Sequence, residues 1–233
     1  MPYRLIQLSG GVPVWLGVVN IIGDLLWLVA YILIIRQGFK DRTYGIPMLC
    51  IALNFTWEFI YAVDFPFPVH LIEILRWAWL LCDVVIVYQL FRYGRNSQTI
   101  PLLKRYFYPI CVAMFVSAYL GQLAFHYSYP DRYGVHDAYM INLVMSILFV
   151  FMYFSRPSGR GLSLGAAWAK MLGTGLLSAG SMFMIKDWLT NSFMVYLYVT
   201  IFIFDVTYVV LLYRARSVAA VAHPEGDHIL AAA

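Results

Sequence analysis

The sequence predicts an all-α polytopic membrane protein, a bundle of seven transmembrane helices. Three observations predict it. Hydrophobic residues make up 62% of the 233-residue chain and charged residues 12%, against roughly 45–50% and about 25% in a soluble domain. Apolar stretches of about 20 residues, long enough to cross the hydrocarbon core as a helix, recur along the chain. Lys and Arg concentrate on alternate loops between those stretches. This composition excludes a soluble globular domain, a disordered chain and a disulfide scaffold.

The first apolar stretch is 13–36. No small-residue cleavage site follows it, so it reads as a span and not as a removable signal. It stops at the polar run Lys40-Asp41-Arg42-Thr43-Tyr44-Gly45. The second stretch, 46–63, ends at Phe65-Pro66-Phe67-Pro68. The third is 71–93, closed by the turn signals between Gly94 and Pro101. The fourth, 107–128, ends before Pro130 to Gly134, and the fifth, 136–154, before Pro157 to Gly161. The last two are 166–185 and 192–213. Residues 1–216 then form one transmembrane domain, and 217–233 an Ala-rich tail without strong ordering signals. Cys50, Cys82 and Cys111 all sit inside apolar runs and read as small apolar residues.

Twelve basic residues fall on one side of these spans: Arg36, Lys40, Arg42, Arg92, Arg95, Lys104, Arg105, Arg156, Arg160, Lys170, Arg214 and Arg216. Three fall on the other: Arg4, Arg132 and Lys186. The bias predicts a cytoplasmic C-terminus and an extracytoplasmic or lumenal N-terminus. It also supports an odd number of spans. The net charge of +4 then serves orientation. No basic patch interleaved with exposed aromatics points to nucleic acid.

Ionisable residues inside spans cost about 2.5–3.5 kcal/mol each at a helix centre and mark function by default. Asp24, Glu58, Glu73, Arg76, Asp83, His126 and Asp205 are such residues. Spacing groups them: Asn20 with Asp24, Asn54 with Glu58, and Gln122 with His126 are i, i+4 pairs, and Arg76 shares a face with Asp83 seven residues on. With Asn142, five helices offer polar groups to a common interior, and Asp205 adds a sixth. The plain alternative is interhelical hydrogen bonding, worth about 0.6 kcal/mol on average. It accounts for Asn20, Gln89 and Asn142, and an Arg76 pair with Glu73 or Asp83 would be structural in the same way. Glu58 and Asp205 differ, because neither has a basic residue within one turn of its own helix. A desolvated carboxyl without a cation resists ionisation and acts as an acid.

Other chemistries lack their residues. No two acidic residues are adjacent, so there is no Asp-rich box to bind a metal–diphosphate. No His/Cys cluster has metal-ligand spacing, and no phosphate-cradling Gly loop occurs. The last span has no Lys for a retinal Schiff base. Neither a metal nor an organic cofactor is expected. A small transporter or channel with mid-membrane carboxylates as proton or ion sites is the competing class. It would use helices broken at mid-depth, and Gly17, Gly23, Gly121, Gly173, Gly175 and Gly180 read instead as close-packing positions. A receptor or scaffold is a third class, which seven spans alone do not favour.

The run Asp41-Arg42-Thr43-Tyr44-Gly45-Ile46-Pro47, followed by Asn54-Phe55-Thr56-Trp57-Glu58-Phe59-Ile60-Tyr61, resembles a signature of integral membrane terpene cyclases. These are seven-span cyclases of fungal meroterpenoid and indole-diterpene pathways, with bacterial relatives in drimentine-type indole-sesquiterpenoid pathways. Asp83 to Gly94, Arg160-Gly161-Leu162-Ser163 with Trp168, Leu172-Gly173-Thr174, and Phe204-Asp205 to Tyr213 extend the resemblance over about 15–214.

The resemblance implies proton-initiated, metal-independent cation cyclisation of a prenyl chain, farnesyl or geranylgeranyl. The chain ends in an epoxide or a bare alkene and is attached to an aromatic, indole or polyketide group. The family's two essential acids match Glu58 and Asp205. Around them, Asn54 is placed to orient the Glu58 carboxyl. Trp57, Tyr61, Trp79 and Tyr208 offer aromatic faces to a cation. Asp24, Arg76 and Asp83 hold the pocket or supply the final base. The partners expected are a lipophilic prenylated substrate and membrane lipid.

Overall fold

The computed structural model describes residues 13–66, 70–129, 131, 133–184 and 191–222. All regular structure among them is helical. The helices are α1 (Val14–Asp41), α2 (Met48–Phe59), α3 (His70–Tyr93), α4 (Pro101–Arg105), α5 (Phe107–Ser128), α6 (Val135–Ser155), α7 (Leu164–Met184) and α8 (Ser192–Ala222). A π-turn, Ile60–Asp64, extends α2, and a 3₁₀ turn, Gly94–Ser97, follows α3. α8 runs to Ala222, into the segment read as tail, and 223–233 lie outside the described residues.

The boundaries have local causes. Pro13 and Pro47 stand just before α1 and α2, where a missing N–H costs nothing. α1 stops at Arg42, whose φ of 51° turns the chain left-handed and returns its N–H to the carbonyls of Gly38 and Phe39. Side chains cap three later helices. Asp131 accepts from the N–H groups of Val135 and Asp137 at 2.9 and 3.0 Å, so it fixes the start of α6. Ser163 Oγ accepts from Ala166 N on α7, and Asn191 Oδ1 from Phe193 N and Met194 N on α8.

Five helical segments are long and apolar enough to cross a membrane by themselves: Val14–Asp41, Ile72–Ser97, Phe107–Ser128, Val135–Ser155 and Ser192–Ala215. α2 has only 12 residues before its π-turn. α7 has 21, but many are Gly, Ala, Ser and Thr. The seven predicted segments are thus all helical, while five of them meet the length and apolarity of a span independently.

Six helices close a ring in the order α1, α3, α2, α6, α8, α7, with α7 back against α1. α5 lies outside the ring, against α2. The ring's outer surface is apolar: Ile74, Trp77 and Leu81 on α3, and Phe202 and Ile203 on α8, are exposed. Such faces suit lipid, not water. α1 and α7 meet most closely at two glycines. A Cβ at Gly173 would stand 3.0 Å from the Gly23 carbonyl oxygen, and one at Gly180 would strike the Asn20 side chain. Gly17, Gly121 and Gly175 face open space, so close packing explains only part of the glycine pattern.

At the basic end, two loops clasp each other. Gly161 N donates to Asp41 Oδ2 at 2.7 Å, Arg160 Nη2 to Asp41 O at 2.6 Å, and Arg156 Nη1 to Tyr44 O at 2.7 Å. Arg156 also lies 4.5 Å from the Tyr44 ring centroid. The Asp41–Gly45 and Arg160–Ser163 stretches, far apart in sequence, therefore form one structural junction.

Candidate active site

Inside the ring is a cavity of about 350 Å³, within the usual size of a small-molecule site. α1 contributes Asn20, Asp24, Trp27 and Tyr31; α2 contributes Asn54, Trp57 and Glu58; α3 contributes Arg76 and Trp79. Tyr139, Asn142 and Met145 of α6 and Thr174, Leu177 and Ser181 of α7 also line it. Aromatic and apolar side chains line it together with eight polar or charged ones.

Glu58 is only 4% exposed, and its Oε2 has no hydrogen-bond partner among the described residues. No cation among the described residues forms an ion pair with it. Trp79 Nε1 and Asn142 Oδ1 are likewise buried without a partner. Buried polar atoms are normally satisfied, so three such atoms in the residues of one cavity wall mark a place where a ligand completes the bonding.

Asn54 does not orient Glu58. Its Nδ2 donates to Tyr31 Oη and, at 3.1 Å, to Asp83 Oδ2, which also accepts from Tyr31 Oη at 3.4 Å. Asp83 itself is fully buried and does not line the cavity. It sits behind a floor made by Tyr31 and Asn54.

Arg76 serves the other end. Its Nη1 donates to Tyr61 O at 2.7 Å and its Nη2 to Tyr133 O at 3.2 Å. Trp57 Nε1 donates to Gly134 O at 2.9 Å. These bonds tie the π-turn and α2 to the turn before α6. The π-turn closes with Phe65 N donating to Ile60 O at 2.8 Å. The guanidinium also lies 5.7 Å from the Trp57 ring and 5.6 Å from the Tyr61 ring.

Asp205 stands apart from this cavity. Lys170 Nζ of α7 donates to both its carboxylate oxygens, at 2.7 and 2.9 Å, and reaches Ser146 Oγ at 2.8 Å. The expectation of an unpaired Asp205 fails because its cation comes from a neighbouring helix. Lys170 is buried within α7 and is not a loop charge, which leaves eleven basic residues on that side of the bundle. A small space of about 10 Å³ beside Lys170 is lined also by Trp27, Tyr31, Met145 and Tyr208. Trp27, Tyr31 and Met145 thus divide the Lys170–Asp205 pair from the Glu58 cavity.

The structure therefore brings Asp24, Asn54, Trp57, Glu58, Arg76 and Trp79 to one cavity. It does not bring Tyr61, Asp83, Asp205 or Tyr208 to that wall. Tyr61 is buried against Trp57, Phe65 and His126, and Tyr208 stacks on Phe149. Gln122 bonds Thr56 Oγ1 and Leu53 O on the back of α2. With His126, it belongs to the α2–α5 contact and not to the interior. Trp27, Tyr31 and Ser181 are cavity residues that the sequence did not single out. The spacing of Asn20, Asp24, Trp27 and Tyr31, one helical face over three turns, was the available signal.

The family model of the Pyr4-like transmembrane terpene cyclases matches residues 12–218. The Pyr4-family terpene cyclase mfmH of Annulohypoxylon moriforme is 30% identical over 211 residues, covering 88% of this chain and 83% of that protein. Terpene cyclase pyr4 of Aspergillus fumigatus is 26% identical over 204 residues, 82% of each chain. Terpene cyclase macJ of Penicillium terrestre is 30% identical over 158 residues, and the match spans 66% of this chain and 61% of that protein. A lipid-faced helical ring around a buried, aromatic, acid-bearing cavity agrees with these matches: the chain belongs to the Pyr4-like transmembrane terpene cyclases and is a membrane terpene cyclase.

Proposed function

We propose that the enzyme cyclises a prenyl chain attached to an aromatic, indole or polyketide group, and that Glu58 starts the reaction by donating a proton. The observation that carries this reading is Glu58 itself: a carboxyl buried in the cavity wall with an unpartnered oxygen and no ion pair. A carboxyl buried in this way, with one oxygen unpartnered, is placed to pass a proton to a ligand in the cavity. With an epoxide substrate, the proton goes to the ring oxygen as the C–O bond breaks. With a terminal alkene, it goes to carbon. In either case the next double bond supplies the electron pair that closes each ring, and loss of a proton from carbon ends the cascade.

The aromatic wall stabilises the cation. Arg76 already occupies a face of Trp57, and Lys170 lies 5.5 Å from the Trp27 ring. No protein cation stands over Trp79 among the described residues, so Trp79 is the ring assigned to the substrate cation. A bound substrate that fills the cavity would also keep water from quenching the cation. Asp205 acts in this reading as a positioning residue, through the ion pair that joins α8 to α7. In the membrane, the lipophilic substrate approaches from the bilayer, with the C-terminus on the cytoplasmic side as the basic loops predict.

The test is Glu58→Gln, which keeps shape and removes the acid. Turnover of prenylated aromatics should fall by a factor of about 10²–10⁴, the usual contribution of a positioned general acid, while the protein still inserts and unfolds cooperatively. Wild-type turnover by that variant would overturn the acid assignment. The sequence supplies no paired carboxylates for a metal–diphosphate. EDTA should therefore leave the rate unchanged, and a loss restored by Mg²⁺ would contradict the metal-free reading.

A further inference from the structure

A cation cascade that begins with a proton must end by giving one up, and the cavity contains a base for that step. Asp24 and Glu58 are the two carboxyls that line it among the described residues. The others are spoken for or face elsewhere. Asp205 is clamped by Lys170, Asp83 lies behind Tyr31 and Asn54, and Asp137 faces the separate groove between α2 and α5. Asp24 makes no hydrogen bond or ion pair among the described residues, and it is only partly buried, so its oxygens are open to a ligand.

The two acids lie on different helices, α1 and α2, which the ring separates by α3. Along α1, Asp24 stands two turns from Tyr31, the residue that meets Asn54 at the floor. Along α2, Glu58 stands one turn from Asn54. Asp24 is therefore about one turn, roughly 5 Å, farther from the floor than Glu58. Arg76 shares the cavity wall with Asp24.

We infer that Asp24 is the terminating base: it removes the proton beside the last carbocation and so fixes where the final double bond forms. The C–H bond breaks, its electron pair becomes the new alkene, and the proton passes to the Asp24 carboxylate. This assignment rests on the reading of Glu58 as the initiator. The geometry orders the two events, with the chain terminus at Glu58 and the later rings nearer Asp24 and Arg76.

Asp24→Asn tests it. Membranes carrying wild type, Asp24→Asn, Asp24→Glu or Glu58→Gln would be given 3-farnesylindole and 3-geranylgeranylindole, each with and without a terminal epoxide. Asp24→Asn should still consume substrate within about tenfold of wild type. Its main product should fall below about half of the total, replaced by water-captured products and alkene isomers deprotonated elsewhere. Asp24→Glu should return most of the wild-type product. An unchanged product profile from Asp24→Asn, at any rate, would overturn the proposal, because a structural residue lowers yield without scrambling products. So would complete loss of substrate consumption by folded Asp24→Asn, which would place Asp24 in initiation. Consumption by Glu58→Gln at the wild-type rate would sink the initiator reading separately, while a scrambled product profile from Asp24→Asn bears on Asp24 alone.

Discussion

At the scale of single residues, charge separates the roles. Glu58 was legible in the sequence because a mid-span acid with apolar neighbours is costly and needs a reason. Asp24 was legible for the same reason, through its i, i+4 pairing with Asn20. Asp205 looked identical by that criterion, yet it is ion-paired. Spacing along one helix cannot reveal a partner on another, and Lys170, close to the Arg156–Arg160 loop in sequence, resembles a loop charge. The pair makes a distinct prediction. Removing one member of a buried pair typically costs about 3–5 kcal/mol, whereas an apolar pair of similar volume is near neutral. Asp205→Asn should lower the melting temperature in detergent, and Lys170→Met with Asp205→Leu should recover it together with turnover. A double variant that folds but is inactive would make Asp205 a chemical participant. Trp79 gives a second prediction. Trp79→Phe should keep most turnover. Trp79→Leu should lose about 2 kcal/mol of cation stabilisation, or about thirtyfold in kcat. Equal rates for the two would remove Trp79 from the cation's path.

At the scale of elements, the helices were readable from apolar length and from the Pro, Gly and Asp signals at their ends. The π-turn was not, because nothing in Ile60–Asp64 departs from an ordinary helical sequence. Its cause is tertiary: Arg76 takes the Tyr61 carbonyl, and Gly134, at φ 70°, packs so closely that a Cβ would strike the Tyr61 ring. The Gln122–His126 pair misled for a related reason. A polar stripe looks the same whether it faces a cavity or a neighbouring helix, and here it faces α2. The α1–α7 seam is testable. Gly173→Val would push a branched side chain toward the Gly23 carbonyl and Trp27, costing about 1–3 kcal/mol by overpacking. Gly17→Ala, with open space around it, should leave stability unchanged or raise it by up to about 1 kcal/mol. Thermal unfolding of the two variants checks the contrast, and equal melting temperatures would deny the seam.

At the scale of the whole molecule, composition alone gave the class: too apolar and too sparsely charged to be soluble. It could not give the ring. Which helices enclose the cavity depends on pairwise packing among long-range neighbours. Hence α5 proved external and α7 proved to supply part of the wall. The membrane setting and the chemistry share one requirement, an interior that excludes water around a few deliberately unpaired groups. The most direct test of that account is isotopic. Wild-type membranes would be given 3-farnesylindole and its terminal epoxide in D₂O, with Glu58→Gln membranes alongside. The account predicts wild-type products isomeric with the substrate used. The alkene-derived product, where formed, should carry one carbon-bound deuterium, and Glu58→Gln should form these products at least about a hundredfold more slowly. Cyclised alkene without deuterium, or cyclisation by Glu58→Gln at the wild-type rate, would contradict it.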